Sequence, residues 1–357
     1  MKDDYLWDGS GEPDPEVQRL ENVLGRYRHD QPAPNFDQIA TEQPAQRRWR
    51  FPVFRFSFQL AAVAAAVVIG ITTFIIFRAR QTRDSGAAWE IARIEGAPRV
   101  GWHSLGANSE TAKLKVGQTL VTDNSSRASI TLEETGRIEV DPASRLRVVA
   151  SGPNRKRLSL ERGTIHATIW APPGEFVVDT PSAVAVDLGC VYTLHVDDSG
   201  AGLLRTTMGW VGFKLNGHES FIPAGAVCAT RPKIGPGTPY FEDASASFRD
   251  ALTKFDFAST TPQERNALLG ILLVDARKDD ALTLWHLLSR VTDADRPSVY
   301  DRLAVLATPP KDVTREGILR LDQKMLDSWW NSFGYGDIYL WRTFERDWSQ
   351  QRPPTAK

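Results

Sequence analysis

The side chains that could do chemistry in this chain are few and scattered: six histidines, two cysteines and a pool of carboxylates. None of the patterns that assemble such groups into a site is present. There is no G-x-S-x-G nucleophile turn, no H-E-x-x-H zinc helix and no G-x-x-x-x-G-K-[ST] phosphate loop. Cys190 and Cys228 lie far apart with no C-x-x-C spacing, so a cysteine-based zinc site or a thioredoxin-type couple lacks ligands. Two readings of them stay open, a disulfide in an extracytoplasmic domain or two separately buried thiols. Asp187 and His195 come nearest to an acid and base pair. Eight residues at about 3.3 Å each hold them apart on an extended strand, so catalysis there requires the strand to turn. The expectation is a protein that is not an enzyme, has no catalytic, cofactor-binding or metal site, and needs no cofactor.

The remaining chemistry is that of binding. In the first fifty residues Asp14-Pro15-Glu16 has the form of a helix start, with a cap, a proline in the first turn and an acid at the positive end of the dipole. Val17, Leu20, Leu24 and Tyr27 then recur at helical spacing, with Val23 at the margin and Glu16, Arg19, Glu21, Arg26 and Arg28 on the other faces. A helix this short is marginal alone in water, so its apolar face wants a partner. Those four side chains are the candidate partner-binding residues. The bland alternative lays the same face on a membrane surface.

The surrounding sequence dictates where such a head would sit. Met1 to Gln46 carries ten Asp and Glu against four Lys and Arg, and Gln31 to Gln46 is a proline-rich polar tether. Arg47, Arg48, Arg50 and Arg55 follow, and then Phe56 to Phe77 runs for 22 residues without a charge. About 20 such residues cross the hydrocarbon core, and more than fifty residues precede the run, which suits a transmembrane anchor rather than a cleaved signal peptide. Arg78, Arg80 and Arg83 balance the arginines before the span, so loop charge favours a cytoplasmic N-terminus only slightly. A net charge of -1 offers no basic field for a phosphate backbone, and direct nucleic-acid binding is not expected.

Beyond the span, residues 88–232 alternate apolar and polar side chains between glycine, proline and Asx turns, the pattern of an all-β sandwich or solenoid. Ala128, Ile130 and Leu132 share a face, as do Ile165, Ala167 and Ile169, then Val184, Val186 and Leu188, then Tyr192, Leu194 and Val196. Pro232, Gly235, Pro236, Gly237 and Pro239 read as a protease-sensitive connector. From residue 244 to 348 the period becomes helical. Thr261-Pro262-Gln263-Glu264 is a capping box, Asp280 and Pro297 open two further helices, and one more runs through Ile318, Leu321, Met325 and Trp329. Lys278-Asp279 and Lys311-Asp312 recur between helices, so the tail reads as two helical hairpins that dock on the β domain. Trp329, Trp330, Trp341 and Trp348, with Phe333, Tyr335, Tyr339 and Phe344, read as the seal of a core ahead of a glycan or partner site.

Several stretches resemble, in order, the extracytoplasmic FecR domain of membrane signal transducers and anti-sigma regulators. Gly117-Gln118-Thr119-Leu120-Val121-Thr122 is similar to its glycine turn and following strand. Ala128-Ser129-Ile130-Thr131-Leu132 and Gly136-Arg137-Ile138-Glu139-Val140 are similar to the next hairpin, and Leu158-Ser159-Leu160-Glu161-Arg162-Gly163 to its strand-and-glycine step. Phe176-Val177-Val178-Asp179-Thr180-Pro181, Asp187 to Val196, and Gly209-Trp210-Val211 complete the series. Cys190 stands where the family commonly has threonine, and the short head does not match a zinc-type anti-sigma domain. The resemblance implies a single-pass protein of the bacterial inner membrane, N-terminus cytoplasmic and C-terminal domain periplasmic. Such a protein would regulate an extracytoplasmic-function sigma factor through the head and meet an envelope protein outside. The alternative is an envelope binding or scaffold protein with no sigma partner.

Overall fold

The computed structural model describes residues 88–351 except Ala107, Asn108 and Asn216, together with Pro15, Gln18 and Arg19. The expected transmembrane run 56–77 and the candidate residues Val17, Leu20, Leu24 and Tyr27 lie outside the described residues. No described helix is long and apolar enough to cross a membrane.

Among the described residues the alternating segments form eighteen strands, arranged as two sheets that share one strand. The first sheet runs Thr111–Leu114, Trp89–Glu95, Arg127–Thr131, Gly136–Val140, the second half of Arg155–Ile169, Val191–Val196, Gly202–Met208 and Ala226–Arg231, all antiparallel. Gly235–Pro236 and Tyr240–Phe241 pair beside its last strand. The second sheet runs His103–Ser104, Arg99–Val100, Thr119–Val121, Arg145–Gly152, the first half of Arg155–Ile169, Phe176–Asp179, Val184–Asp187, Trp210–Leu215 and His218–Pro223. Only the pairing of Phe176–Asp179 with the shared strand is parallel. The shared strand changes sheets at Gly163, whose φ of +96° is left-handed and whose missing Cβ makes room for Ser144. Ser144 Oγ in turn accepts a hydrogen bond from Thr164 N at 3.0 Å, which seals the crossing.

Alternation is clean where one face meets solvent. In Gly136–Val140, Ile138 and Val140 are buried and Arg137 and Glu139 exposed; in Val191–Val196, Tyr192, Leu194 and Val196 are buried. The expected Val184, Val186 and Leu188 face fails as an alternation. Ala185, Val186 and Asp187 are all buried, as are Trp210, Val211, Gly212 and Phe213. The cause is a second layer. Among the described residues seven helices follow the strands, α1 (Ala246–Phe257), α2 (Pro262–Asp275), α3 (Ala281–Leu287), α4 (Arg296–Leu306), α5 (Arg315–Leu319), α6 (Gln323–Ser332) and α7 (Ile338–Gln351). Side chains from α3, α6 and α7 pack on the Trp210–Leu215 and His218–Pro223 strands, so those strands are buried from both sides.

The tryptophans make that seam. Trp329, Trp330 and Trp341 are fully buried. The Trp330 ring lies 5.1 Å from Trp285, 5.3 Å from Phe221 and 6.1 Å from Trp210, and Trp341 lies 5.5 Å from Phe221. Such pairs add about 0.5 to 1.5 kcal/mol each beyond the area they bury. Gly212 leaves the space that the Trp341 ring fills. The core reading of the aromatic cluster therefore holds for these three, while Tyr339 is exposed and the Trp348 side chain lies outside the described residues.

Polar groups lock the same seam. His286 on α3 is buried. Its Nε2 accepts from Phe221 N at 3.0 Å, and its Nδ1 donates to Leu282 O at 2.8 Å, which fixes the tautomer. Burial, followed by the nearby Arg290 charge, pushes the imidazole down to about 3. Arg342 on α7 reaches Glu219 at 2.9 Å and Asp327 at 3.0 Å, and Trp341 Nε1 donates to Glu219 at 3.0 Å.

Three local expectations are revised. The proline and glycine connector is not an exposed tether: Gly235 to Pro239 are buried. Its carbonyls accept from Arg290 (Pro236, 3.2 Å), Ser220 (Gly237, 2.7 Å) and Thr283 (Pro239, 2.8 Å), while Thr238 N donates to Asp256 at 2.6 Å. Asp280 makes no side-chain cap; it accepts instead from Arg277 N and Nε at 2.8 and 3.0 Å. The helix expected through Ile318 and Trp329 is broken between α5 and α6, where Leu321 adopts φ +57° and Asp322 caps α6 by accepting from Lys324 N and Met325 N. The Thr261 capping box forms with both reciprocal bonds, 3.2 Å and 2.8 Å.

Candidate interaction surfaces

Of the head, Pro15, Gln18 and Arg19 are described, and all three are helical and exposed. They fall on the segment where the N-cap and proline place a helix.

The residues singled out for chemistry do not meet. Asp187 ends a strand of the second sheet, buried. Its Oδ1 accepts from Gly189 N at 2.7 Å and its Oδ2 from the Cys190 thiol at 2.8 Å. Burial pushes its carboxyl up to about 7, against the lowering pull of those donors. His195 lies on the exposed face of the first sheet, its Nδ1 2.9 Å from Thr164 Oγ1. Cys190 and Cys228 are separate free thiols, both buried, which decides between the two readings of the cysteines. Burial pushes both up, Cys228 to about 12, so neither is a reactive thiolate. Among the described residues no group of three or more His, Cys, Asp or Glu is placed to hold a metal ion.

Surface clefts occur at both ends of the strands. One, of about 770 Å³, is lined by Arg99, Asp123, Arg162, His195 and Asp197. Its carboxylates are already engaged. Asp123 accepts from Ser126 Oγ at 2.7 Å and Ser125 N at 2.9 Å, and Asp197 from Ser199 Oγ at 2.6 Å and Ser199 N at 2.8 Å. These hydrogen bonds hold both below the usual carboxylate range and spend their acceptors on shaping two matching loops. The other, of about 750 Å³, lies at the opposite strand ends among Trp89, Glu133, Glu134, Lys156, Trp170 and Glu175.

Between the two ends, the outer face of the first sheet is polar. Arg127 pairs with Asp141 at 2.7 Å, Asp141 meets His166 Nε2 at 2.9 Å, and His166 Nδ1 lies 3.0 Å from Thr193 Oγ1. The helical layer covers part of the second sheet and leaves this laced face of the first exposed.

One family-model match covers the middle of the β unit. Residues 118–208 match the model of the FecR protein family. The matched FecR segment runs from the Thr119–Val121 strand to the end of Gly202–Met208. It thus takes in the shared strand and its glycine crossing, and stops short of the helices. No curated protein matches the chain. Two crystal structures of a proposed anti-sigma factor from Parabacteroides distasonis ATCC 8503 are similar at 14% identity, with TM-scores of 0.32 and 0.31. Each comparison covers 37% of this chain, and 63% and 62% of that protein respectively.

Proposed function

We propose that the chain is a membrane-anchored FecR-type signal transducer that regulates an extracytoplasmic-function sigma factor by protein contact. The single observation that supports it most is the FecR match over residues 118–208 in a chain whose sequence places an uncharged 22-residue run between that segment and a short head. In this reading the run 56–77 spans the bacterial inner membrane, the head is cytoplasmic and the β unit with its helices is extracytoplasmic. The apolar face of Val17, Leu20, Leu24 and Tyr27 holds the sigma factor. The laced face of the first sheet is offered to an envelope protein that carries the signal.

Transcript profiles of cells carrying the native chain and of cells carrying Leu20→Asp with Leu24→Asp test the reading. A changed set of genes sharing one promoter class, together with an extracytoplasmic-function sigma factor encoded beside this gene, is the expected result. Identical profiles would leave the alternative, an anchored envelope scaffold without a sigma partner.

A further inference from the structure

The strand registers put the point where the chain arrives from residue 87 at one end of the first sheet. Trp89 opens the first strand there, opposite Leu114, and the strand ends at Thr131, Ile169, Val191 and Met208 lie at the same end. Thr168, Val191 and Met208 are register partners across three strands, and Trp170, two residues past Thr168, continues the outward phase. Trp170 is 65% exposed and Met208 57% exposed. Two large apolar side chains thus share the outward rim of the end through which the chain enters.

We infer that this rim, Trp170 with Val191 and Met208, rests on the lipid surface. The inference rests on the reading of Phe56 to Phe77 as a membrane span. Ten residues separate that run from Ala88, and fully extended they reach at most about 35 Å, so the chain-arrival end is tethered to the bilayer. Indole rings concentrate at headgroup depth because one side chain offers both an apolar body and an N–H donor. Glu133 and Glu134 sit on the exposed turn beside Trp170, with Lys156 across the cleft donating to Pro153 O at 3.0 Å. The end thus carries charges of both signs, exposed Arg137 among them as the register partner of Thr168, so the apolar pair carries the contact. The opposite strand ends carry Asn124 and Asp198 on exposed loops, and six residues of strand put them about 17 Å farther away.

The buried native thiols make the test clean, because a cysteine introduced at an exposed site is the one that reacts in the folded chain. The full chain carrying Met208→Cys, or Asn124→Cys as the far-end control, is labelled with an environment-sensitive fluorophore. It is then reconstituted into phosphatidylethanolamine-rich vesicles with a headgroup-depth quencher lipid. Quenching at 208 at least threefold that at 124 is expected. It should fall at least twofold on adding Trp170→Ser. Equal quenching at the two sites in protein that resists carbonate extraction overturns the orientation and leaves the anchor standing; unchanged quenching on adding Trp170→Ser overturns the part given to the rim; a chain extracted by carbonate overturns the span and this inference together.

Discussion

His286 joins the helical layer to the sheet with a neutral ring in a buried site, and that makes the seam acid-sensitive by a calculable amount. In the unfolded chain a histidine takes its proton near 6.5, whereas burial holds the folded imidazole down to about 3. Because the folded value is depressed, the unfolded state binds the extra proton between those values. The contribution is therefore fully present above pH 6.5 and is lost as the pH falls toward 3. A difference of about 3.5 pH units at about 1.4 kcal/mol per unit corresponds to about 5 kcal/mol, an order-of-magnitude figure. Other groups titrate over the same range; Asp187, raised to about 7, works in the opposite sense. The informative quantity is thus a difference between two proteins. His286→Gln keeps an acceptor for Phe221 N and removes the titration. Urea unfolding of the full chain in detergent, followed by the fluorescence of tryptophans including Trp285, 5.0 Å from the ring, should be run from pH 8 to pH 3.5. The stability of wild type minus that of the variant should be constant above pH 7 and fall by about 1.4 kcal/mol per unit below 6.5. A difference that stays flat through that window would mean that His286 titrates as in the unfolded chain, and would refute the docked seam.

Three further outcomes follow from the same packing. Asp187→Asn should gain on wild type by about 1.4 kcal/mol per unit as the pH rises from 4 to 7, because a carboxyl with a raised folded pKa loses stability over that range; a pH-independent difference in urea midpoints would show Asp187 to be solvated. Gly212→Val should push the Trp341 ring from its seat and cost about 1 to 3 kcal/mol, seen as a lowered thermal midpoint with loss of near-ultraviolet circular dichroism; an unchanged midpoint would contradict the α7 docking. Trypsin should cut the connector only at its exposed tip, Lys233, and the two fragments should stay together on a sizing column, since residues 235–239 are buried between sheet and helices.

The sequence was most legible where one face of an element meets water. Gly136–Val140 and Val191–Val196 alternate because solvent lies on one side and core on the other. Val184–Asp187 and Trp210–Leu215 do not, because the helical layer buries their second face, and nothing local announces a partner more than a hundred residues away. Long-range pairing also hid His286, a lone histidine whose acceptor role depends on Phe221, 65 residues earlier. Proline and glycine at 232–239 have the composition of a surface linker. Its buried stretch is stable because Ser220 from a strand, Asp256 and Thr283 from two helices, and Arg290 from the turn after α3 satisfy its backbone. Asp280 had the right position for a cap but faces Arg277, a stronger partner than an amide. The aromatic cluster and the Thr261 capping box were readable because each is a local pattern with one cheap solution.

Co-purification tests the proposed hold of the head on a sigma factor most directly. The full chain, cross-linked in native membranes and recovered through a C-terminal tag, should bring down one extracytoplasmic-function sigma factor. Leu20→Asp with Leu24→Asp should reduce the yield at least tenfold, since each buried leucine contributes about 1.5 to 3 kcal/mol. Recovery of no sigma factor by the native chain, or equal recovery by both chains, would contradict the account.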